Sequence, residues 1–339
     1  MLRIVHLIPY DGLGGVEAAA NSLGRFKDEI LDFKIDYIFE NVKGGKETIH
    51  TYNIFSIIYK ARVYLGGEPD VLIVSLWRSC LVGFIVKLFR KNIKLILFLH
   101  CSEDKHWIDR IATRMAAFLA DEIWADSKTT LTLRLPFLRA TRCRVISFVT
   151  RRFEPRPQIE VEPSFIFWGR LTAQKGIDRA IRIFAAIREK LHCARFQIIG
   201  PDAGSLGDLK LLCDSLGLND AITFSGAATH DEITVFARNA SFYLQTSEYE
   251  GMAMSVVESM QMGLVPVVTA VGEISSYCRN GYNGIVVESD QQSVEAILQL
   301  LHSNERYQAL RSAAIATWKD QMLYRDSILQ ACKDIYYGI

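Results

Sequence analysis

"SFIFWGRLTAQKGIDRAIRIFAAIREK", residues 164–190, joins an apolar run ending at Gly169 to a helical pattern over 177–190. The run is apolar without alternation, as a strand covered on both faces of a parallel sheet should be. Between strand and helix lies a short loop bounded by Gly169 and Gly176 that carries Arg170 and Lys175. A strand, a glycine turn and a helix in that order form half of a βαβ unit, and repetition of the unit implies a doubly wound α/β fold.

The unit does repeat along the 339 residues. Apolar runs predict strands at 3–9, 34–39, 71–76, 94–100 and 122–126, then at 164–169, 195–200, 222–226, 242–247 and 265–269. Helical patterns fall between them, for example at 15–30, 107–120, 177–190, 205–216, 230–239, 254–262 and 291–302. The length suits two domains of roughly 150 residues each. "RRFEPRPQIEVEPS" (151–164), with three prolines and little periodicity, is the expected linker. The reading is therefore two Rossmann-like domains, 1–155 and 156–320, and a closing segment at 321–339. In such sheets ligands bind outside the carboxyl ends of the strands, so strand-end residues carry the functional question.

The formal net charge of +1 gives no support to a nucleic-acid partner. Lys and Arg outnumber Asp and Glu by 24 to 18 over residues 1–160, whereas 161–339 carry 15 against 20. Seven scattered cysteines without a C-x-x-C read as reduced thiols of a cytoplasmic protein. "MLRIVHLIPYDG" enters a strand-like run at once and does not read as a signal peptide. "CLVGFIVKLFRKNIKLILF" (80–98) is interrupted by Lys87, Arg90, Lys91 and Lys94, and reads as an apolar-and-basic helix followed by a buried strand. That helix either faces the core with a solvated basic edge or lies on a membrane surface.

Four stretches carry candidate chemistry. "DGLGGVE" (11–17) starts like a dinucleotide fingerprint at Gly12 and Gly14 but has Glu17 where the third glycine belongs, so the oxidoreductase reading fails. What remains is a glycine turn at a helix start, suited to a phosphate or a sugar hydroxyl. Arg170 and Lys175 at the mouth of a parallel strand suit a diphosphate. "QIIGPDAGS" (197–205) ends another strand on Gly200 and leaves room for a flat or bulky ligand. In "EYEGMAMSVVE" (248–258), Glu250 and Glu258 flank seven residues at a helix start. Along a helix they would stand about 12 Å apart. That exceeds the roughly 5–9.5 Å of a glycosidase carboxylate pair. A nucleotide sugar laid across the helix start could use one acid at each end, with its phosphates near the free N–H groups between. Thr229 and Glu232 in "THDE" read as a structural capping box.

With "SMQMGLVPVVT" following it, the E-x7-E segment resembles the donor-site motif of the retaining glycosyltransferases of family 4. "GGVE", "FLH", "GRLTAQKG", "IIG" and "NGYNGIVVE" stand in that family's order over nearly the whole chain. The resemblance implies a GT-B fold: two Rossmann-like domains whose parallel sheets face each other across a cleft, the first binding acceptor and the second binding donor. It also implies a final helix, here within 325–339, that crosses back to the first domain. Carried over by position, Arg170 and Lys175 would hold the donor diphosphate, and Glu258 the ribose. Glu250 would lie beside the transferred sugar, with Gly251, Met252 and Ala253 giving backbone contacts. Gly15 and Gly200 would lie by the donor, and His100 at the strand end near the reacting sugar. Trp77 and Arg78 are acceptor candidates, an aromatic platform beside a cation.

The implied reaction is hexose transfer with retention from a UDP- or GDP-linked donor to a glycan or lipid-linked acceptor of bacterial surface polysaccharide. No D-x-D and no ligand-spaced His/Cys/Asp cluster is present, so no metal and no cofactor are expected. A cytoplasmic enzyme, peripheral at the membrane through its basic first domain, completes the expectation. "SFVTRRF" (147–153) and "GEISS" (272–276) depart from the family pattern, the latter with Glu273 and Ser276 where a glycine and an acid are usual. Two rivals stand beside this reading: a hydrolysing epimerase on the same fold, and a catalytically silent nucleotide-sugar-binding partner.

Overall fold

The computed structural model describes residues 1–12, 15–39, 54–101, 103–135, 142–157 and 160–339. Gly14, part of the first glycine loop, lies outside them. The chain divides into two compact units, Met1–Arg151 with Met322–Ile339, and Arg152–Gln321.

The first unit runs β1 (Leu2–Ile8), α1 (Gly15–Leu23), β2 (Phe26–Lys27), β3 (Leu31–Tyr37), α2 (Ile54–Leu65) and β4 (Val71–Ser75). It continues with α3 (Leu76–Phe89), β5 (Lys94–Leu99), α4 (Trp107–Leu119), β6 (Glu122–Ala125), α5 (Lys128–Arg134) and β7 (Arg142–Val145). The second runs β8 (Ser164–Trp168), α6 (Ile177–Lys190), β9 (Arg195–Ile199), α7 (Leu206–Ser215), β10 (Ile222–Phe224) and α8 (His230–Ala237). After them come β11 (Phe242–Gln245), α9 (Met254–Gln261), β12 (Val265–Val268), α10 (Ile274–Tyr277), β13 (Ile285–Val286), α11 (Asp290–Leu301) and α12 (Asn304–Trp318). Helix α13 (Tyr324–Tyr337) belongs to the first unit. It is tied there by the Arg144–Asp334 ion pair, by Tyr324 N–H donating to the Val149 carbonyl at 2.7 Å, and by Tyr324 stacked on Phe98.

The first sheet has the order β2-β3-β1-β4-β5-β6-β7, parallel except for β2, and the second has β10-β9-β8-β11-β12-β13, parallel throughout. All five residues of β4 are buried, as are the last five of β1 and of β5, which is why these runs are apolar without alternation. Strand order reverses between β1 and β4 in one unit and between β8 and β11 in the other. Those are the switch points where a doubly wound sheet opens a crevice.

Three local readings need correction. Helix α1 stops at Leu23 instead of reaching residue 30, because Gly24 takes φ 61° and β2 follows. The apolar runs do not mark β2, β7 and β13: β2 and β13 are two residues long, and β7 carries two arginines in four residues. Helix α3 begins at Leu76 directly after β4, so Trp77 and Arg78 sit in its first turn and not at a strand end. The capping box is present: Thr229 accepts from Glu232 N–H while the Glu232 carboxylate accepts from Thr229 N–H at 2.7 Å.

Candidate functional site

In the second unit, the loops leaving β8 and β11 are bound to each other. Gln174 donates to the Tyr249 carbonyl at 2.8 Å, Glu248 N–H to the Gln174 carbonyl at 2.9 Å, and Thr246 Oγ1 to the Gly176 carbonyl at 2.5 Å. This brings Lys175 Nζ to 2.7 Å from Glu250 Oε1 across 75 positions of sequence. The same oxygen accepts from Ser247 Oγ at 2.7 Å and Gln245 Nε2 at 2.9 Å. Glu250 is 7 % exposed, so its charge is held by three donors where water scarcely reaches. Arg170, one residue past Gly169, is exposed and bonds to no described residue through its guanidinium.

Glu258 is the fifth residue of α9 and is also buried. It accepts from Trp168 Nε1 at 2.9 Å and lies 3.4 Å from His230 Nε2. Tyr243 links the two acids: its ring packs edge-on to Trp168 at 4.5 Å, and its hydroxyl reaches the Trp168 carbonyl at 3.2 Å and Gln245 Oε1 at 2.6 Å. Burial holds the Tyr243 phenol well above its usual range, so it stays neutral and able to donate. Between the acids, Ala253 takes the left-handed conformation (φ 55°, ψ 64°) just before α9. A non-glycine residue there is strained by about 1–3 kcal/mol. Gly251 and Met252 precede it at the helix N-terminus, whose first N–H groups have no intrahelical partner.

Gly200, at the end of β9, has φ 154°, and a Cβ there would lie 1.7 Å from the Gly169 carbonyl oxygen. The glycine is therefore demanded by the neighbouring backbone, a reason the room-for-ligand reading did not contain. At Gly15, the first residue of α1, a Cβ would meet no atom of a described residue within 4 Å.

In the first unit a pocket of about 250 Å³ opens at the ends of β4 and β5, lined among others by Tyr10, Val16, Trp77, Arg78, His100 and His106. His100, Trp77 and Arg78, singled out separately, thus meet at one site. The Arg78 guanidinium lies 4.2 Å over the Trp77 ring and His106 packs edge-on to it at 5.3 Å, so part of that platform is already covered. In the wall of the pocket Arg134 binds buried Asp109 at 2.7 Å and half-buried Asp104 at 2.8 Å, a brace no sequence pattern announced.

His100 Nε2 lies 2.7 Å from Ser75 Oγ, and His6 Nε2, on β1, lies 2.8 Å from the same oxygen. A serine hydroxyl has one proton, so at least one of the two imidazoles must donate to it, and the tautomers are linked. Burial lowers the pKa of both rings, with His6 and Arg134 adding to the effect on His100 and His6 pushed down to about 3. The sign follows: an unfolded His6 takes up a proton below pH 6.5 and the folded one does not, so stability falls as pH falls through 6.5 toward 3. His6→Gln, whose amide can still reach Ser75, should remove about 2.5 kcal/mol of the stability lost between pH 6 and pH 4. Urea midpoints across that range check it; an unchanged pH slope would remove His6 from the account.

The fold is that of the GT-B glycosyltransferases. HepE of Anabaena, solved with UDP and glucose, superposes with a TM-score of 0.76 over 99 % of each chain at 18 % identity. Residues 150–317, about half of the chain, match the model of the family described as glycosyl transferases group 1. The chain belongs to that family. It is 26 % identical over 212 residues to alpha-D-kanosaminyltransferase of Streptomyces kanamyceticus, covering 59 % of this chain and 55 % of that one. It is 21 % identical over 212 residues to GDP-mannose:cellobiosyl-diphosphopolyprenol alpha-mannosyltransferase of Xanthomonas oryzae pv. oryzae, covering 60 % and 55 %. The chain spans about half the length of the curated relatives it matches.

Proposed function

We propose that the protein is a retaining hexosyltransferase that moves a hexose from a UDP- or GDP-linked donor to a glycan or lipid-linked acceptor of a bacterial surface polysaccharide. The observation that carries this is the buried network holding Glu250 and Glu258 on either side of one helix start, at the switch point of the second sheet. Two acids so placed can grip the two ends of one long ligand. Family membership and the kinds of transfer named for its relatives support the same reading.

In this account Glu258 accepts from the donor ribose. Glu250 accepts from hydroxyls of the hexose, with Gly251, Met252 and Ala253 contributing backbone contacts. Lys175 and Arg170 hold the diphosphate, and the missing Cβ at Gly15 lets a phosphate approach. The sugar–phosphate C–O bond breaks as an acceptor hydroxyl bonds the same face of the anomeric carbon, and its proton goes to the departing phosphate oxygen. Charge growing on that phosphate is what the two cations and the start of α9 stabilise. His100 stands at the reacting sugar, Trp77 and Arg78 toward the acceptor. No metal or cofactor takes part, and the protein works in the cytoplasm.

A thermal-shift panel of UDP, GDP, ADP and CMP, each with and without attached hexose, tests the donor assignment. A ligand at 100 times its Kd adds about 2.7 kcal/mol of stability. One diphosphate should stand out, and its hexose conjugate should be consumed only when acceptor is present. Stabilisation by none, or steady release of free sugar without acceptor, overturns the proposal.

A further inference from the structure

Ser75 closes β4 and stands at the N-cap of α3, yet its side chain makes no capping bond there. A serine at that place ordinarily accepts from an N–H of the first helical turn. The next residue, Leu76, lines the pocket at the strand ends and holds φ 66°, a conformation costly for a side chain of its bulk. The Ser75 hydroxyl meets two rings instead, His6 Nε2 at 2.8 Å and His100 Nε2 at 2.7 Å. Phe98 packs against both, with ring centroids 6.0 Å from His6 and 4.1 Å from His100. Ser75 and His6 are fully buried, and of the three only His100 lines the pocket.

Burial keeps both imidazoles neutral at pH 7, so each of the three side chains carries one exchangeable proton. Nδ1 of each ring is buried without a partner among the described residues. With at least one ring donating to the hydroxyl, three arrangements remain, and each leaves one donor unused. If both rings donate to Ser75, its own O–H is stranded in the core, since no third described residue bonds to it. If His100 donates to Ser75 and Ser75 to His6, the stranded donor is His6 Nδ1–H, equally buried. If His6 donates to Ser75 and Ser75 to His100 Nε2, the unused donor is Nδ1–H of His100, the one ring at the pocket. A buried donor without a partner is costly. Only the last arrangement leaves it on a residue that an oxygen from outside the protein can meet.

We propose that His6 and Ser75 are positioning residues that fix His100 as its Nδ1–H tautomer, so that it gives one hydrogen bond to an oxygen of a sugar held in this pocket. A neutral N–H suits an uncharged hydroxyl or ring oxygen. With its Nε2 lone pair already taken by Ser75, His100 donates and does not act as a base. That the oxygen belongs to the transferred hexose rests on the transferase reading; the tautomer does not, and its test needs no turnover.

Long-range nitrogen–proton correlation spectra of the full chain at pH 7, with His6 and His100 assigned from His6→Gln and His100→Gln, read the tautomers directly. His100 should carry its proton on Nδ1 and His6 on Nε2. His6→Phe, an apolar ring of similar shape, removes the donor to Ser75, and His100 should then populate both tautomers. With the nucleotide hexose selected by the thermal-shift panel, kcat/KM should fall about tenfold in His6→Phe, the worth of one neutral hydrogen bond. His6→Gln, whose amide still donates to Ser75, should restore both the single tautomer and the rate. A proton on His100 Nε2 in the wild type overturns the proposal, and that spectrum decides even if His6→Phe fails to fold. So does a folded His6→Phe that keeps the tautomer, or an unchanged kcat/KM where the tautomer is lost. The expected spectrum with no turnover at all upholds the tautomer and defeats the transferase reading instead.

Discussion

Lys175→Ala should lower kcat roughly 10²- to 10³-fold, the usual effect of removing one donor from charge developing in a transition state. The same substitution should destabilise the fold, because Glu250, 7 % exposed, loses one of three donors. Removing one partner of a buried ion pair costs about 3 kcal/mol or more. The two effects separate in Lys175→Ala with Glu250→Gln, where no buried charge is stranded. Stability should return in the double variant and kcat should not. Denaturant midpoints and initial rates on wild type and the two variants decide it. Full activity in Lys175→Ala would make the pair a structural clamp and nothing more.

Gly200→Ala should be the most damaging single methyl in the second unit. The glycine's φ of 154° is costly for any L side chain, and the new Cβ would meet the Gly169 oxygen at 1.7 Å and its carbonyl carbon at 2.7 Å. Neither atom can turn aside as a side chain could: Gly169 N–H is tied to the Ile199 carbonyl at 3.0 Å, and Gly200 N–H to the Gly226 carbonyl at 2.7 Å. The ends of β8 and β9 would have to part, at a cost of roughly 3 kcal/mol or more. The loop carrying Arg170 and Lys175 begins at that junction, so donor-induced stabilisation should vanish with it. A melting temperature equal to wild type would show that the strand ends yield freely.

What could be read from the residues alone, and what could not, follows from the range of the interactions. Strands such as β4, β6, β11 and β12 were legible because both faces of a central parallel strand are buried, and that burial makes the run apolar. Glu250, Glu258, Arg170 and Lys175 were legible because their spacing within one loop or one helix start is local. Their partners were not. Lys175 meets Glu250 across 75 positions and Trp168 meets Glu258 across 90, so no window of sequence contains either contact. His6 lies within the first apolar run, 3–9, and only the pairing of β1 with β4 and of β4 with β5 sets it beside Ser75 and His100. His230 lies inside a segment rightly read as a cap, which hid its approach to Glu258.

The central claim is that Glu250 and Glu258 grip one nucleotide sugar at its two ends. The measurement that tests it most directly is calorimetric titration of the nucleoside diphosphate selected by the thermal-shift panel, with and without its hexose, into wild type, Glu258→Gln and Glu250→Gln. The account predicts that Glu258→Gln weakens both ligands alike, whereas Glu250→Gln weakens only the hexose conjugate. Equal losses for both ligands in both variants, or no loss in either, would contradict it.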